Sequence, residues 1–440
     1  MPPTTREDII ETEIPVSRLE IGMHVIRIDR PWEDTDFLLQ GFVIQNDDDL
    51  LAVRTQCDRV IVEGRVQISP TYDKSPVSIA TRKTQPPGKT SQLPEKRVSY
   101  INKIDTSREL ASARVHYSSA RATAKNIMTG IRLGRMLDMH EIRQTVDSTV
   151  DSVLRNENAL LLLSKIKQKD EYTAEHCINV SILAAAFGKH LGLLEGEIRT
   201  LALCGMLHDV GKMRIDDAIL NKPGALTPEE FDFMKKHATY GRDVLAGMPS
   251  LEHAAVDVAY SHHERMDGKG YPRGLPSHQI PLYAKMVGLV DTYDAITSSR
   301  VYDKGRASMQ ALQIIHRNKG TQFDAELAVE FIRMIGVYPP GSIVEMENGE
   351  VGIVVANTRT SKLNPVVLMV RDAEKHELPT YRQIDLAKDA KVAGGQAYKI
   401  THEVPDGTYG IVMSDFIERG FLSTKSSNPP STIDHGHGEP

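Results

Sequence analysis

The chain has 440 residues, enough for two or three domains and at least one sizeable buried core. Its 53 Lys and Arg residues against 59 Asp and Glu residues give a formal net charge of −6, so it lacks the basic excess of a dedicated nucleic-acid binder. The three cysteines, Cys57, Cys177 and Cys204, are far apart in sequence, which argues against a disulfide framework or a thiolate zinc site. This cysteine usage fits a reducing compartment best. No apolar run approaches the roughly 18 residues of a spanning helix, and the N-terminus is polar, so we expect a cytoplasmic protein without membrane insertion.

The N-terminal part predicts a small α+β module at residues 1–70. Short β-like runs at 23–28 and 59–62 are separated by turn-forming and acidic residues. Pro, Ser, Thr, Gln and Lys then dominate, which predicts a polar basic linker at 71–104. Its positive charge is explained more simply by solvation than by a phosphate contact.

A helical pattern predicts the main domain at residues 105–336. Apolar residues recur there at steps of four, four and three: Ile142, Val146, Val150 and Val153. This spacing predicts a helix with one buried face. Thr227, with Pro228 after it and Glu230 three residues on, has the pattern of a capping box and predicts a helix start.

The remaining residues predict a small β appendage at 337–422. Apolar runs at 343–346 and 351–355 flank Asn348-Gly349, which is a strong hairpin signal. The last segment, 423–440, is rich in Ser, Pro, Gly and His and is expected to be disordered. The predicted fold class is therefore mainly α, with a small α+β module before the helical domain and a small β appendage after it.

The first candidate functional residues are a histidine and an aspartate at the end of an apolar helical run. His208, Asp209 and Lys212 follow the apolar helical run 201–207. Residues four apart share a helix face, so we expect His208 and Lys212 to point into the same cavity. Taken alone, this pair is explained better by a buried histidine beside a helix cap than by a functional site.

Further imidazoles and a second carboxylate make a metal site the better explanation. They also lie beside apolar helical segments: His176, His237, His262, His263 and Asp291. Such groups are costly to bury unless paired or bound to a cation, and mixed N/O donors are typical of Zn, Fe or Mn sites. Two carboxylates among five imidazoles favour two ions, since an aspartate can bridge ions about 3.5–4 Å apart. Adjacent side chains on a helix diverge, so one of His262 and His263 could orient a ligand instead of being one.

These residues resemble the HD-GYP subgroup of the HD metal-dependent phosphohydrolases. The resemblance is carried by His208-Asp209 with Lys212, by the segment from His262-His263-Glu264 to Gly270-Tyr271-Pro272, and by Asp291-Thr292-Tyr293-Asp294. It covers about residues 165–335, and the first segment is similar to the uncharacterised N-terminal domain often attached to this subgroup. It implies a helical-bundle HD-type domain that hydrolyses the bacterial second messenger cyclic di-GMP to pGpG or GMP on a two- or three-ion iron or manganese centre.

The resemblance also implies roles for individual residues. The ligands of the first ion would be His176, His208, Asp209 and Asp291. The ligands around the second ion would be His237, His262 and His263, and Asp209 would bridge the two ions. Lys212 would lie beside the metal-bound water. Substrate contacts would be Gly270, Tyr271, Pro272, Arg300 and Lys304. A second basic residue expected after Arg300 is replaced by Asp303, with Lys304 next to it, and Tyr172 stands where some members have an acidic ligand for a third ion.

Two other functions remain open at this point. A non-hydrolysing cyclic di-GMP receptor would be expected to lack a metal ligand, and none of the seven is missing. An HD phosphohydrolase acting on another nucleotide is the second alternative, against which the loop Gly270-Tyr271-Pro272 argues. The expected partners are a cyclic dinucleotide and, through the N-terminal module, a second copy of the chain or a signalling protein.

Overall fold

The structure, a computed structural model, describes residues 8–29, 42–44, 47–66, 98–165, 172–248, 250–298, 308–357, 364–388 and 398–419. The predicted substrate contacts Arg300 and Lys304 lie outside these residues, as do the predicted tail and most of the predicted linker. The chain divides into two compact units, Met1–Lys89 and Thr90–Pro440. This division falls within the predicted linker, and the finer domain boundaries stay predictions.

The first unit is a small α+β module, as predicted. Its elements are β1 (Asp8–Pro15), β2 (His24–Ile28), β3 (Phe42–Val43), α1 (Asp47–Gln56) and β4 (Arg59–Val66). Within the described residues the strands form an antiparallel sheet in the order β1-β4-β2-β3. Apolar side chains that include Leu19, Val25 and Val60 are buried together as its core.

The second unit is built mainly of packed helices. Their bounds are α2 (Thr106–Arg132), α3 (Met139–Leu163), α4 (Tyr172–Leu191), α5 (Glu195–Leu207), α6 (Asp217–Leu220), α7 (Pro228–Met234), α8 (His237–Ala246), α9 (His253–Ser261), α10 (Leu282–Thr297), α11 (Ser308–Arg317) and α12 (Ala325–Ile335). Helix α4 packs against α3, α5 and α10, and helix α9 packs against α5, α8 and α10. The ends of these helices therefore meet around one buried region.

Two sequence predictions about helices are confirmed. The four apolar residues predicted to share a face of α3 are all buried: Ile142, Val146, Val150 and Val153. At the start of α7, the Thr227 hydroxyl accepts a hydrogen bond from the Glu230 amide, and the Glu230 carboxylate accepts one from the Thr227 amide.

A small antiparallel sheet follows the helices and confirms the predicted hairpin. Its strands are β5 (Ile343–Met346), β6 (Val351–Ala356), β7 (Val366–Arg371), β8 (Glu377–Asp385) and β9 (Ile400–Val404), and helix α13 (Met413–Glu418) comes after them. Among the described residues the strand order is β8-β7-β6-β5-β9. Gly349, in the β5–β6 turn, has φ +84°, a conformation that favours glycine.

No helix in the described part of the chain combines the length and the apolar composition needed to cross a bilayer.

Candidate metal centre

The structure brings all seven predicted metal ligands together. They form two groups, and in each group one potential ligand atom per residue lies within 4.8 Å of the others: His176, His208 and Asp291 in the first, and Asp209, His237, His262 and His263 in the second. Helices α4 and α10, the ends of α5 and α9, and the start of α8 supply these side chains. Three helices and the segments that directly follow two others therefore supply the ligands.

Asp209 lies between the two groups. Its Oδ2 atom is 3.3 Å from His208 Nε2 and 3.6 Å from His176 Nε2. Its Oδ1 atom is 3.5 Å from His237 Nε2 and 3.8 Å from His262 Nε2. Each carboxylate oxygen thus faces its own pair of imidazoles, the arrangement that a bridging ligand requires.

The donor atoms have the spacing of a metal site. Two donors bound to one ion at about 2.0–2.2 Å lie about 3–3.5 Å from each other. In the first group, His176 Nε2 is 2.9 Å from Asp291 Oδ1 and His208 Nε2 is 3.9 Å from the same atom. Two buried atoms have no hydrogen-bond partner in the described part of the protein: His208 Nε2 of the first group, and Asp209 Oδ1, which faces the imidazoles of the second group. Unpaired buried polar atoms are costly, so the residues present fit bound cations.

The imidazoles are oriented by hydrogen bonds from their other ring nitrogens. Nδ1 of His208 lies 2.8 Å from the Gly205 carbonyl oxygen, and Nδ1 of His237 lies 2.8 Å from the Met234 carbonyl oxygen. Nδ1 of His262 makes the same type of contact at 3.0 Å with a carbonyl of its own helix. These contacts place the proton on Nδ1 and leave the Nε2 lone pair free to bind a metal.

His176 is oriented by a carboxylate that the sequence analysis did not assign. Its Nδ1 atom is 2.8 Å from Asp294 Oδ2, which also accepts a hydrogen bond from the Ser298 hydroxyl. Burial opposes protonation, but Asp291 and Asp294 outweigh it and raise the pKa of His176 to about 10. Asp294 lies three residues after Asp291 on α10, and this helical spacing is the signal that could have revealed it.

The pKa values of the other ligands favour different charge states for the histidines and for the aspartate. Burial lowers the pKa of His262 to about 3 and also lowers that of His237, so both imidazoles are neutral at pH 7. Burial opposes ionisation of Asp209, but the Lys212 ammonium and the neighbouring imidazoles hold its pKa well below the usual range. Asp209 is thus ionised while His237 and His262 are neutral, the forms in which these side chains bind metal ions.

Local structure near the ligands differs from the sequence prediction in two respects. The helix predicted to carry both His208 and Lys212 ends at Leu207, and a 3₁₀ turn at Val210–Arg214 follows. The Lys212 ammonium still contacts the Asp209 carboxylate. Helix α9 ends at Ser261, so His262 and His263 leave the helix and both turn toward Asp209 instead of diverging.

Glycines that the sequence analysis did not single out allow the ligand-bearing segments to approach. A Cβ atom on Gly211 would lie 2.0 Å from the carbonyl oxygen of His237, and one on Gly288 would lie 2.2 Å from that of His262. Both distances are far below any van der Waals contact. The backbones of two ligands therefore depend on glycine at these positions.

The loop around Gly270-Tyr271-Pro272 packs directly on the metal centre. The ring of Tyr271 stacks on that of His263 with centroids 4.6 Å apart. A Cβ atom on Gly270 would lie 2.4 Å from the Arg265 amide nitrogen, so this glycine is required by the loop itself. Glu264 accepts hydrogen bonds from the amides of Arg273 and Leu275 and so ties the loop down.

A cavity of about 350 Å³ adjoins this loop and His262 and His263. Basic side chains in its lining are Lys235, Arg265, Lys269 and Lys285. The acidic side chains Glu264 and Asp324 also line it, and Lys285 lies 3.5 Å from Asp324. The cavity therefore offers cationic groups next to the histidines of the second group.

The helical core and its histidine–aspartate cluster define the class of HD-domain proteins. The family model described as an HD domain matches residues 155–327, and a domain of unknown function, DUF3391, matches residues 11–142. A KOW domain associated with HD domain matches residues 343–393, which includes most of the C-terminal sheet. The DUF3391 match covers the α+β module together with α2 and the start of α3, the HD match covers the later helices, and the KOW match lies in the sheet.

Named proteins are similar to the chain over different lengths. A Pseudomonas aeruginosa protein named cyclic di-GMP phosphodiesterase is 32% identical over 434 residues, which are 97% of this chain and 99% of that protein. A Thermotoga maritima protein that is also named cyclic di-GMP phosphodiesterase is 36% identical over 168 residues, which are 38% of this chain and 45% of that protein. A solved HDG"Y"P protein from Bdellovibrio bacteriovorus matches 73% of this chain and 98% of that chain, with 15% identity and a TM-score of 0.44. The near full-length relative shows that the chain belongs to the HD-GYP family of HD-domain phosphodiesterases.

Proposed function

We propose that the chain hydrolyses the phosphodiester bonds of cyclic di-GMP to pGpG, GMP or both, and that two transition-metal ions, Fe or Mn, are required. The observation that carries this proposal is the position of Asp209, whose two carboxylate oxygens face separate pairs of imidazoles. The names of the similar proteins supply the substrate. The basic lining of the adjoining cavity suits an anionic dinucleotide.

The residues of the chain have distinct tasks in this proposal. His176, His208 and Asp291 would hold one ion, and His237, His262 and His263 the other, with Asp209 shared. Bound ions would neutralise the phosphoryl oxygens and lower the pKa of the attacking water. Lys212 is held by the Asp209 carboxylate and places a positive charge where the transition state gains negative charge. Tyr271 and the proposed phosphate contacts Arg300 and Lys304 would hold the substrate.

A binding-only role is the less favoured function. A receptor that does not hydrolyse has no need for two complete donor groups, and both groups are complete in the described residues. A phosphodiesterase for another cyclic dinucleotide would use the same metal chemistry. Product analysis therefore has to compare several dinucleotides.

The test is metal analysis combined with product chromatography. Protein purified anaerobically or loaded with Fe or Mn should contain at least two ions per chain and should convert cyclic di-GMP faster than cyclic di-AMP or 3′3′-cGAMP. Asp209→Ala should lose metal and activity together. Asp257→Ala is the matched control, because Asp257 is an exposed aspartate on α9. One ion or none after loading, or near-native turnover by Asp209→Ala, would rule out the two-ion assignment.

A further inference from the structure

A hydrogen-bonded cluster outside the metal centre connects the C-terminal sheet to helix α10. Glu403 of β9 uses both carboxylate oxygens: Oε1 accepts a hydrogen bond from the Ser342 hydroxyl at 2.7 Å, and Oε2 accepts one from the Ser308 amide at 3.2 Å. Ser342 and Ser308 are both almost fully buried. Glu403 therefore fixes the first residue of α11 to the sheet.

Ser308 extends the connection into the helical core. Its hydroxyl oxygen accepts hydrogen bonds from Lys165 Nζ at 2.9 Å and from the Tyr293 hydroxyl at 3.2 Å. Burial lowers the pKa of Lys165, and the carboxylates of Glu403 and Asp294 oppose this effect. Loss of the Glu403 charge would leave the buried ammonium less compensated.

Tyr293 lies between two residues that serve the metal centre. It follows the proposed ligand Asp291 by two positions and precedes Asp294, which orients His176. Its ring packs edge-on against Phe331 of α12 with centroids 5.3 Å apart. The hydroxyl and the ring together fix the rotation of α10, so a shift of Tyr293 would move both carboxylates.

We propose that Glu403 is a positioning residue for the metal centre: through Ser308 and Tyr293 it makes the C-terminal sheet a support for the helix that carries Asp291 and Asp294. This inference rests on the metal site of the proposed function. It gives the KOW-like sheet a task in the enzyme, since the sheet contributes none of the seven donors.

The primary test measures the affinity of the metal-depleted full chain for Mn²⁺ by competition with a chelating dye. Glu403→Ala should bind Mn²⁺ about three- to tenfold more weakly, less than the loss expected for a group that contacts a ligand directly. Tyr293→Phe, which keeps the ring and removes only the hydroxyl, should show a loss in the same range. Glu374→Ala is the control, because Glu374 is an exposed residue elsewhere in the same sheet region and should leave the affinity unchanged.

The double variant Glu403→Ala/Tyr293→Phe tests whether Glu403 and Tyr293 act on the metal centre through the same hydrogen-bonded connection. If both residues act through Ser308, the loss in the double variant is smaller than the product of the two single losses. Wild-type Mn²⁺ affinity in Glu403→Ala, even with a lowered melting temperature, would reduce Glu403 to a structural role and overturn the proposal, as would fully multiplicative losses. If Glu403→Ala does not fold, the Mn²⁺ affinities of Glu403→Gln and Tyr293→Phe are compared with that of the wild type instead, and wild-type affinity in both would overturn the proposal. A wild-type chain that binds neither Mn²⁺ nor Fe²⁺ would instead contradict the proposed function.

Discussion

The orientation of His176 depends on Asp294, a residue outside the proposed donor set. Because Asp294 Oδ2 accepts a hydrogen bond from His176 Nδ1 at 2.8 Å, it holds Nε2 toward Asp291 and Asp209. We expect Asp294→Ala to weaken metal affinity about 10- to 100-fold, the range typical of partners that orient a ligand. Metal titration of the depleted protein measures this, with Asp257→Ala as the control. Unchanged affinity would show that packing alone orients the imidazole.

Asp267 makes the loop that carries Gly270-Tyr271-Pro272 sensitive to acid. Hydrogen bonds from Arg265, together with the Lys269 amide, lower the pKa of Asp267 to about 2 in the folded protein. A folded-state pKa below the ordinary value means that this stabilisation is present above about pH 4 and is lost as the pH falls toward 2.

Asp267→Asn tests this linkage. The variant should be less stable than the wild type at pH 7, and its stability should fall less steeply between pH 4 and pH 2. Denaturant unfolding at a series of pH values measures how the free energy of unfolding of each protein changes with pH. Parallel slopes would mean that Asp267 has the same pKa in the folded and unfolded chains.

The sequence predicted which histidines and aspartates lie together better than it predicted their surroundings. Histidines and aspartates beside apolar helical runs are costly unless they bind something, so their chemistry alone was informative. Asp294 was missed because one aspartate on a helix has many possible roles. Its role depends on the His176 ring, which is 118 positions away in sequence. Only the packing of α4 on α10 brings the two together.

The approach of α10 to the end of α9 depends on one glycine. A Cβ atom at position 288 would lie 2.2 Å from the His262 carbonyl oxygen, so Gly288→Ala must push the two segments apart. We expect a loss of about 1–3 kcal/mol in the free energy of unfolding, together with reduced metal content. Urea unfolding measures the first quantity and elemental analysis the second.

Gly196 provides the matched comparison. It is an exposed glycine of α5, and a Cβ atom there would meet no heavy atom within 4 Å. Gly196→Ala should stabilise the protein by about 0.5–1 kcal/mol, because alanine loses less conformational freedom in a helix. Equal effects of the two substitutions would contradict the steric explanation for Gly288.

Helix ends were the least predictable feature of the elements. Local sequence patterns correctly predicted the buried face of α3, the capping box of α7 and the β5–β6 hairpin, since each depends on residues close together in the chain. The ends of α5 and α9 depend on tertiary contacts, such as that between Gly211 and α8. These ends are where His208 and His262 lie, so the geometry of the ligands could not follow from periodicity.

The two compact units predict that hydrolysis does not require the first one. All seven proposed ligands lie in the unit Thr90–Pro440. A chain starting at Ser99, which keeps α2, should bind metal and cleave cyclic di-GMP, with an altered rate or oligomeric state as the sign of lost regulation. The measurement is turnover at matched metal content. A truncated chain that is folded and metal-loaded yet inactive would mean that the N-terminal module completes the active site.

The spread of the donors along the chain has a consequence for the lifetime of the protein. His176 and Asp291 are 115 positions apart, and the other donors lie on three further segments between them. Ions held by this set would act as cross-links that stabilise the folded chain by mass action, in proportion to the logarithm of the free metal concentration. Metal starvation would then raise the fraction of open chains exposed to proteases. Metal supply would thus set how many copies survive in the cell as well as how fast each one turns over.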